Sequence, residues 1–134
     1  MLTSYFNLTM LTHFLIGFYF VFFAVWNIYH WNRIIEVMIK DNLPHPYLLL
    51  PIGIGWQSVA GFLIIFGLFS KLAALSLIPY VIIASFIFHP FWNYHGEQRY
   101  LHFTIFMTNI TVVISALILL IMPFTSVMEW VTIA

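Results

Sequence analysis

Residues 88–102, FHPFWNYHGEQRYLH, separate two long apolar stretches and mark the connector between them. Within this segment lie three of the six histidines and a pair of opposite charges: His89, His95, His102, Glu97 and Arg99. The rest of the chain is much more apolar. We therefore expect any chemistry or recognition surface of the protein to concentrate in this connector.

The composition predicts an integral membrane protein. Of 134 residues, 63% are hydrophobic, and only four are Lys or Arg and four Asp or Glu, far below the charged fraction of a soluble domain. Net charge is zero and no basic run occurs, which argues against nucleic-acid binding. The absence of cysteine excludes disulfides, Cys-ligated zinc and iron–sulfur clusters, so a redox role would need a bound cofactor.

Four apolar segments have about the 20 residues that a helix needs to cross a bilayer. They are Leu8–Ile28, Tyr47–Phe69, Leu72–Phe88 and Tyr100–Met122. Because lipid offers no partner to free backbone groups, these segments should be helices. We predict an all-α fold: an antiparallel, up-down four-helix bundle forming one transmembrane domain over residues 1–134. The alternative, a cleaved signal peptide followed by three spans, lacks the basic start and small-residue cleavage site of such signals.

The first connector, between the first two segments, predicts a short amphipathic helix at the membrane surface. Arg33, Glu36 and Lys40 fall on one side of a helical wheel, with apolar residues between them. Pro44 and Pro46 then end the helix.

Positive charge favours one orientation. Arg33, Lys40 and Arg99 lie in the first and third connectors, against Lys71 in the second. The positive-inside rule therefore predicts cytoplasmic connectors and non-cytoplasmic termini, in a membrane that we expect to be the bacterial inner membrane.

Polar residues within the spans form narrow rows at helical spacing. The residues concerned are His13, Asn27, Gln57, His102 and Asn109. One interpretation is that they hydrogen-bond between helices. The other is that they line a polar cavity, because polar groups at membrane depth often mark a site. Gly53 and Gly61 flank Gln57 at intervals of four, which predicts a close helix contact.

The histidines of the third connector suggest two kinds of binding site. His89, His95 and His102 could ligate copper, zinc or haem iron, which accept imidazole nitrogen. Alternatively, they are ordinary interfacial residues in a belt of Trp and Tyr. A quinone or lipid site is the other chemical possibility, with Phe91 and Trp92 flanking a flat ring and His89 or Tyr94 bonding a carbonyl oxygen.

Several short motifs resemble the DoxX family of small four-helix membrane proteins. They are Leu43-Pro44, Ala60-Gly61, Gly67, the run from Ser70 to Ala74, the run from His89 to Trp92, and Asn109. The resemblance extends from about His13 to about Met122. It implies a four-span membrane protein like the membrane subunits of a thiosulfate:quinone oxidoreductase, or like family members linked to oxidative-stress complexes.

Three departures from the family pattern concern charge. His13 stands where an Arg precedes a Gly in the family, Ala24 and Asn27 replace a later Gly and Lys, and Gln57 replaces an acidic residue. The sequence also offers no complete catalytic set. We therefore predict a non-catalytic subunit or scaffold that contacts lipid, associates with other membrane subunits or with itself, and binds quinone or lipid. The alternative is a redox subunit with His-ligated metal or haem.

Overall fold

The computed structural model of the chain describes residues 2–122, with side chains from residue 8 onward. No strand occurs within those residues, which confirms the all-α prediction. Four stretches are long and apolar enough to cross a membrane: Leu8–Tyr29, Pro46–Ile65, Ser70–Asn93 and Gly96–Ile121. The predicted location of the termini concerns Met1 and residues 123–134, which lie outside the described residues.

Six α-helices follow one another along the described chain. They are α1 (Leu2–Tyr29), α2 (Trp31–Lys40), α3 (Pro46–Ile65), α4 (Ser70–Phe88), α5 (Gly96–Thr108) and α6 (Ile114–Ile121). A short 3-10 helix, Phe91–Asn93, precedes α5, and a π-helical segment, Asn109–Val113, joins α5 to α6. The chain divides into two compact units, one ending at Phe69 and the other beginning at Ser70. The single transmembrane domain stays a prediction.

The first unit is an antiparallel pair of helices, α1 and α3, joined by α2. The two long helices are in close backbone contact at Gly17 and Gly61. Helix α2 was predicted from its charge pattern, and its apolar side buries Ile35 and Met38 where it packs against α1 and α3. Packing against the other helices therefore helps to hold α2 in place, because the protein itself buries these two side chains.

Two left-handed residues end helices of this unit. Asn42 follows α2 with φ of 58°, and Gly67 follows α3 with φ of 67°. After Gly67, the Leu68 N–H donates to the Leu63 carbonyl at 2.9 Å, which closes a Schellman cap. Helix α3 consequently ends at Ile65. The apolar pattern predicted that it would extend to Phe69.

The second unit is also an antiparallel helix pair, with α4 packing against α5 and α6. Its interior is built from small and branched apolar side chains: Ala73, Ala74, Leu77, Val81, Leu117 and Leu120. Ser70 and Lys71 belong to the first turn of α4. Helix α5 begins at Gly96, before the predicted start at Tyr100. Gly96 has a φ of 62°, a left-handed conformation that favours glycine.

Candidate functional site

The third connector folds back over the end of α4. The His89 N–H donates to the Ser85 carbonyl at 3.0 Å, so His89 continues the last helical turn. Pro90 cannot extend the helix because it has no N–H. The following residues form the short 3-10 helix, whose first N–H, on Phe91, donates to the His89 carbonyl at 2.8 Å. This turn directs the connector toward α5.

His89 and His102 form a side-chain contact, which we call the histidine pair. Their Nδ1 atoms lie 3.2 Å apart, and both residues are half-buried. A hydrogen bond between two imidazole nitrogens requires one ring to donate and the other to accept. The accepting ring, if neutral, carries its proton on Nε2, and the donating ring, if neutral, has a free lone pair there. The pair thus offers both a donor and an acceptor on its outer edge.

Tyr94 fixes the orientation of one of these rings. Its phenol ring stacks on the His102 imidazole with centroids 4.2 Å apart and an interplanar angle of 11°. Such offset stacking stabilises a ring plane beyond the area that it buries. The sequence predicted that Tyr94 could form a hydrogen bond to a ligand. In the structure, its ring stacks on His102.

An aromatic cluster adjoins the histidine pair. Ring centroids within it lie 5.0 to 6.1 Å apart, mostly edge to face, among Phe86, Phe91, Trp92, Phe103 and Phe106. These edge-to-face arrangements are the favoured geometry for aromatic pairs. Trp92 remains 46% exposed. The cluster therefore provides an apolar, partly open wall beside two polar rings.

His95 does not join the histidine pair. It precedes α5 in extended conformation and is exposed, so it does not share a helical face with His102. Within residues 2–122, no group of three or more His, Asp or Glu residues lies close enough to hold a metal ion. The structure brings together two of the three histidines predicted as metal ligands.

A second polar contact continues the row of the histidine pair. The Asn109 Nδ2 donates to the Ser85 Oγ at 3.1 Å, and Ser85 is completely buried. Ser85 and His89 are thus one helical turn apart. Ser85 contacts Asn109, and His89 contacts His102. Sequence reasoning missed Ser85. Its spacing of four from His89 was the signal that could have found it.

The predicted polar residues of the first unit meet in a separate contact. Gln57 is only 5% exposed, and the Asn27 Nδ2 donates to the Gln57 Oε1 at 3.5 Å. A neutral amide pair thus occupies the two positions where the family resemblance implies a Lys and an acidic residue. His13 is half-buried, and its Nδ1 lies 2.8 Å from the Thr9 carbonyl oxygen of the same helix.

Comparison with known proteins gives one match. The family model described as DoxX matches residues 8–90, which is more than half of the chain. No curated protein and no solved structure matches significantly. The matched region includes His89 and ends before α5, so His102 and Asn109 lie beyond it.

Proposed function

The chain belongs to the DoxX family, and from that premise we propose that it is a non-catalytic subunit or scaffold of a membrane complex that holds a quinone at the histidine pair. It is an integral membrane protein, because four helices are long and apolar enough to cross a bilayer. The observation that carries the proposal is the 3.2 Å contact between the Nδ1 atoms of His89 and His102.

The histidine pair suits the oxygen atoms of a quinone. When both rings are neutral, the Nε2–H of the accepting ring can donate to a carbonyl oxygen, and the Nε2 lone pair of the donating ring can accept from a hydroxyl group. A quinone presents carbonyl oxygens when oxidised and hydroxyl groups when reduced. The pair therefore has a partner for either form without moving the Nδ1 contact.

The surroundings of the pair suit a flat apolar ring. Phe91 and Trp92 belong to the aromatic cluster, with ring centroids 5.2 Å apart, and Tyr94 holds the His102 ring in place. Ligand sites of this kind are mainly aromatic, with a few polar groups that fix orientation. These residues supply that combination near the end of a candidate membrane span, Ser70–Asn93.

The role of a subunit follows from what the side chains can supply. The chain has no cysteine, and the described residues form no three-ligand metal cluster. In this proposal, electrons for a bound quinone come from a partner protein. The amide pair of Asn27 and Gln57 is uncharged and hydrogen-bonded. We assign it a structural role between α1 and α3.

Purified full-length protein in mild detergent tests the proposal. Binding of a short-chain quinone analogue is followed by tryptophan fluorescence in the original chain, in His102→Phe and in the control His45→Asn, whose imidazole is exposed in the first connector. Loss of a hydrogen bond to the ligand should weaken binding about tenfold in His102→Phe. Tyr94→Phe, which keeps the stacked ring, should retain binding. Equal affinity in all four proteins, or turnover by a partner-free monomer, would contradict the proposal.

A redox subunit with His-ligated metal is the second candidate, and the same contact favours it. His89 and His102, whose Nδ1 atoms are 3.2 Å apart, would be the two imidazole ligands that hold such an ion. Copper accepts imidazole nitrogen and would supply one-electron chemistry at this pair. Stoichiometric copper in the purified protein would favour this candidate, and a Soret band would favour haem.

A further inference from the structure

A groove of about 350 Å³ lies beside the aromatic cluster and shares Phe91 with the proposed quinone site. It is lined by Phe91, Gly96, Arg99, Tyr100 and Phe103. Three of these five residues are aromatic and one is a cation. Phe91 and Phe103 form an edge-to-face wall with ring centroids 5.0 Å apart. The groove therefore combines apolar walls with a single fixed positive charge.

Among residues 8–122, no acidic side chain lines this groove. Glu97 is in the same helical turn as Arg99, but two residues correspond to about 200° around a helix, which separates the two side chains. Arg99 is accordingly the one charged residue among the described residues that line the groove. A ligand with a net negative charge is favoured here, because a cationic group on the ligand would face only another cation.

The groove lies at one end of a membrane-spanning helix. Gly96 is the first residue of the candidate span Gly96–Ile121, so Arg99 ends its first turn and Tyr100 begins the second. Lipid headgroups lie at this depth, and Tyr and Arg are typical of such positions. The four apolar spans place lipid next to the protein along their length.

We propose that this groove binds an anionic phospholipid. The part of an acyl chain nearest the headgroup lies against Phe91 and Phe103, and the phosphate group lies against Arg99. Arginine suits phosphate because its planar guanidinium can donate two parallel hydrogen bonds. A zwitterionic lipid offers the same acyl chains, but its ammonium group would find no carboxylate in the groove. Free phosphate would gain the charge contact alone and would lose the aromatic walls.

Native mass spectrometry of the full chain in a neutral detergent tests this site. The protein is titrated with phosphatidylglycerol, phosphatidylcholine or inorganic phosphate. One interfacial positive charge should give phosphatidylglycerol roughly a fivefold advantage over phosphatidylcholine. Arg99→Gln should remove this advantage. Lys71→Gln is the matched control, because Lys71 lies at the opposite end of α4, and it should retain the preference.

Further measurements separate this site from the quinone site and from simple misfolding. Arg99→Gln should keep the quinone affinity and the thermal transition of the original chain, and Phe103→Ala should weaken both lipids equally. The proposal is overturned if the two lipids bind equally well, if Arg99→Gln retains the preference, or if inorganic phosphate displaces phosphatidylglycerol at equal concentration. Failure of quinone binding alone would leave the lipid result intact.

Discussion

Gly17 of α1 and Gly61 of α3 meet backbone to backbone, with no room for a methyl group at either position. A Cβ on Gly17 would lie 2.6 Å from the Gly61 carbonyl oxygen, and a Cβ on Gly61 would lie 3.0 Å from the Gly17 carbonyl oxygen. In lipid, helix association depends on such close packing, because apolar surface alone gives no preference for protein over acyl chains. The pair therefore sets the crossing point of the first unit.

We predict that Gly17→Ala destabilises the protein, by about 1–3 kcal/mol, because the added methyl group would force the two backbones apart. Gly55→Ala is the matched control, since a Cβ there meets nothing within 4 Å and alanine favours helix. Unfolding in mixed detergent micelles measures both variants. Equal stability of the two would mean that the close contact does not hold α1 and α3 together.

The amide pair of Asn27 and Gln57 predicts how this unit responds to charge. Asn27→Lys alone places a cation beside a neutral, buried amide, and we expect a loss of about 2 kcal/mol. Gln57→Glu alone should also destabilise, because its carboxylate would have no cationic partner. The double variant should be more stable than either single variant, since the donor and acceptor atoms are 3.5 Å apart in the original chain. Additive losses in the same unfolding assay would contradict the contact.

Much of this first unit was readable from the sequence, for a physical reason. Long apolar segments must be helical in lipid, so α1 and α3 follow from composition, and the spacing of Gly53, Gln57 and Gly61 indicated the face of α3 that packs. Helix ends were less accessible. The apolar run continues to Phe69, but the left-handed cap at Gly67 ends α3 earlier, and hydrophobicity carries no signal of that cap.

The candidate site shows where sequence reasoning stops. The spacing of His102 and Asn109 identified one polar face of the fourth segment. The opposing face could not be found in the same way, because lipid accepts apolar side chains on every side of a helix and the pattern leaves the partner helix undefined. The contacts of His102 with His89 and of Asn109 with Ser85 are tertiary. The π-helical segment that begins at Asn109 has no counterpart in the sequence pattern.

A double-mutant cycle on Ser85 and Asn109 tests this polar row. Ser85→Ala removes the acceptor of the Asn109 amide and leaves that amide without its partner across the unit. We expect a coupling free energy of about 0.6 kcal/mol with Asn109→Leu, the average for hydrogen bonds between membrane helices. Thr111→Val is the control, because the Thr111 hydroxyl is exposed and donates only to the Met107 carbonyl of its own helix. A coupling free energy of zero would mean that the hydrogen bond between Asn109 and Ser85 does not contribute to stability.

Orientation in the membrane can be tested because the chain contains no cysteine. Single cysteines therefore report one position each without background. The first connector carries Arg33 and Lys40 and the third carries Arg99, whereas the second is flanked by Lys71 alone. We predict that the first and third connectors face the cytoplasm, since positive charge near span ends is retained there.

Asn32→Cys and Gln98→Cys place the label in exposed positions of the two charged connectors, and Leu68→Cys places it between α3 and α4. A membrane-impermeant maleimide added to intact cells should label Leu68→Cys alone, and all three variants should react after the membrane is opened. This pattern follows because consecutive spans alternate in direction, so the second connector lies on the opposite side from the other two. Labelling of Asn32→Cys and Gln98→Cys in intact cells would reverse the orientation. Labelling of only one of these two would contradict four consecutive spans.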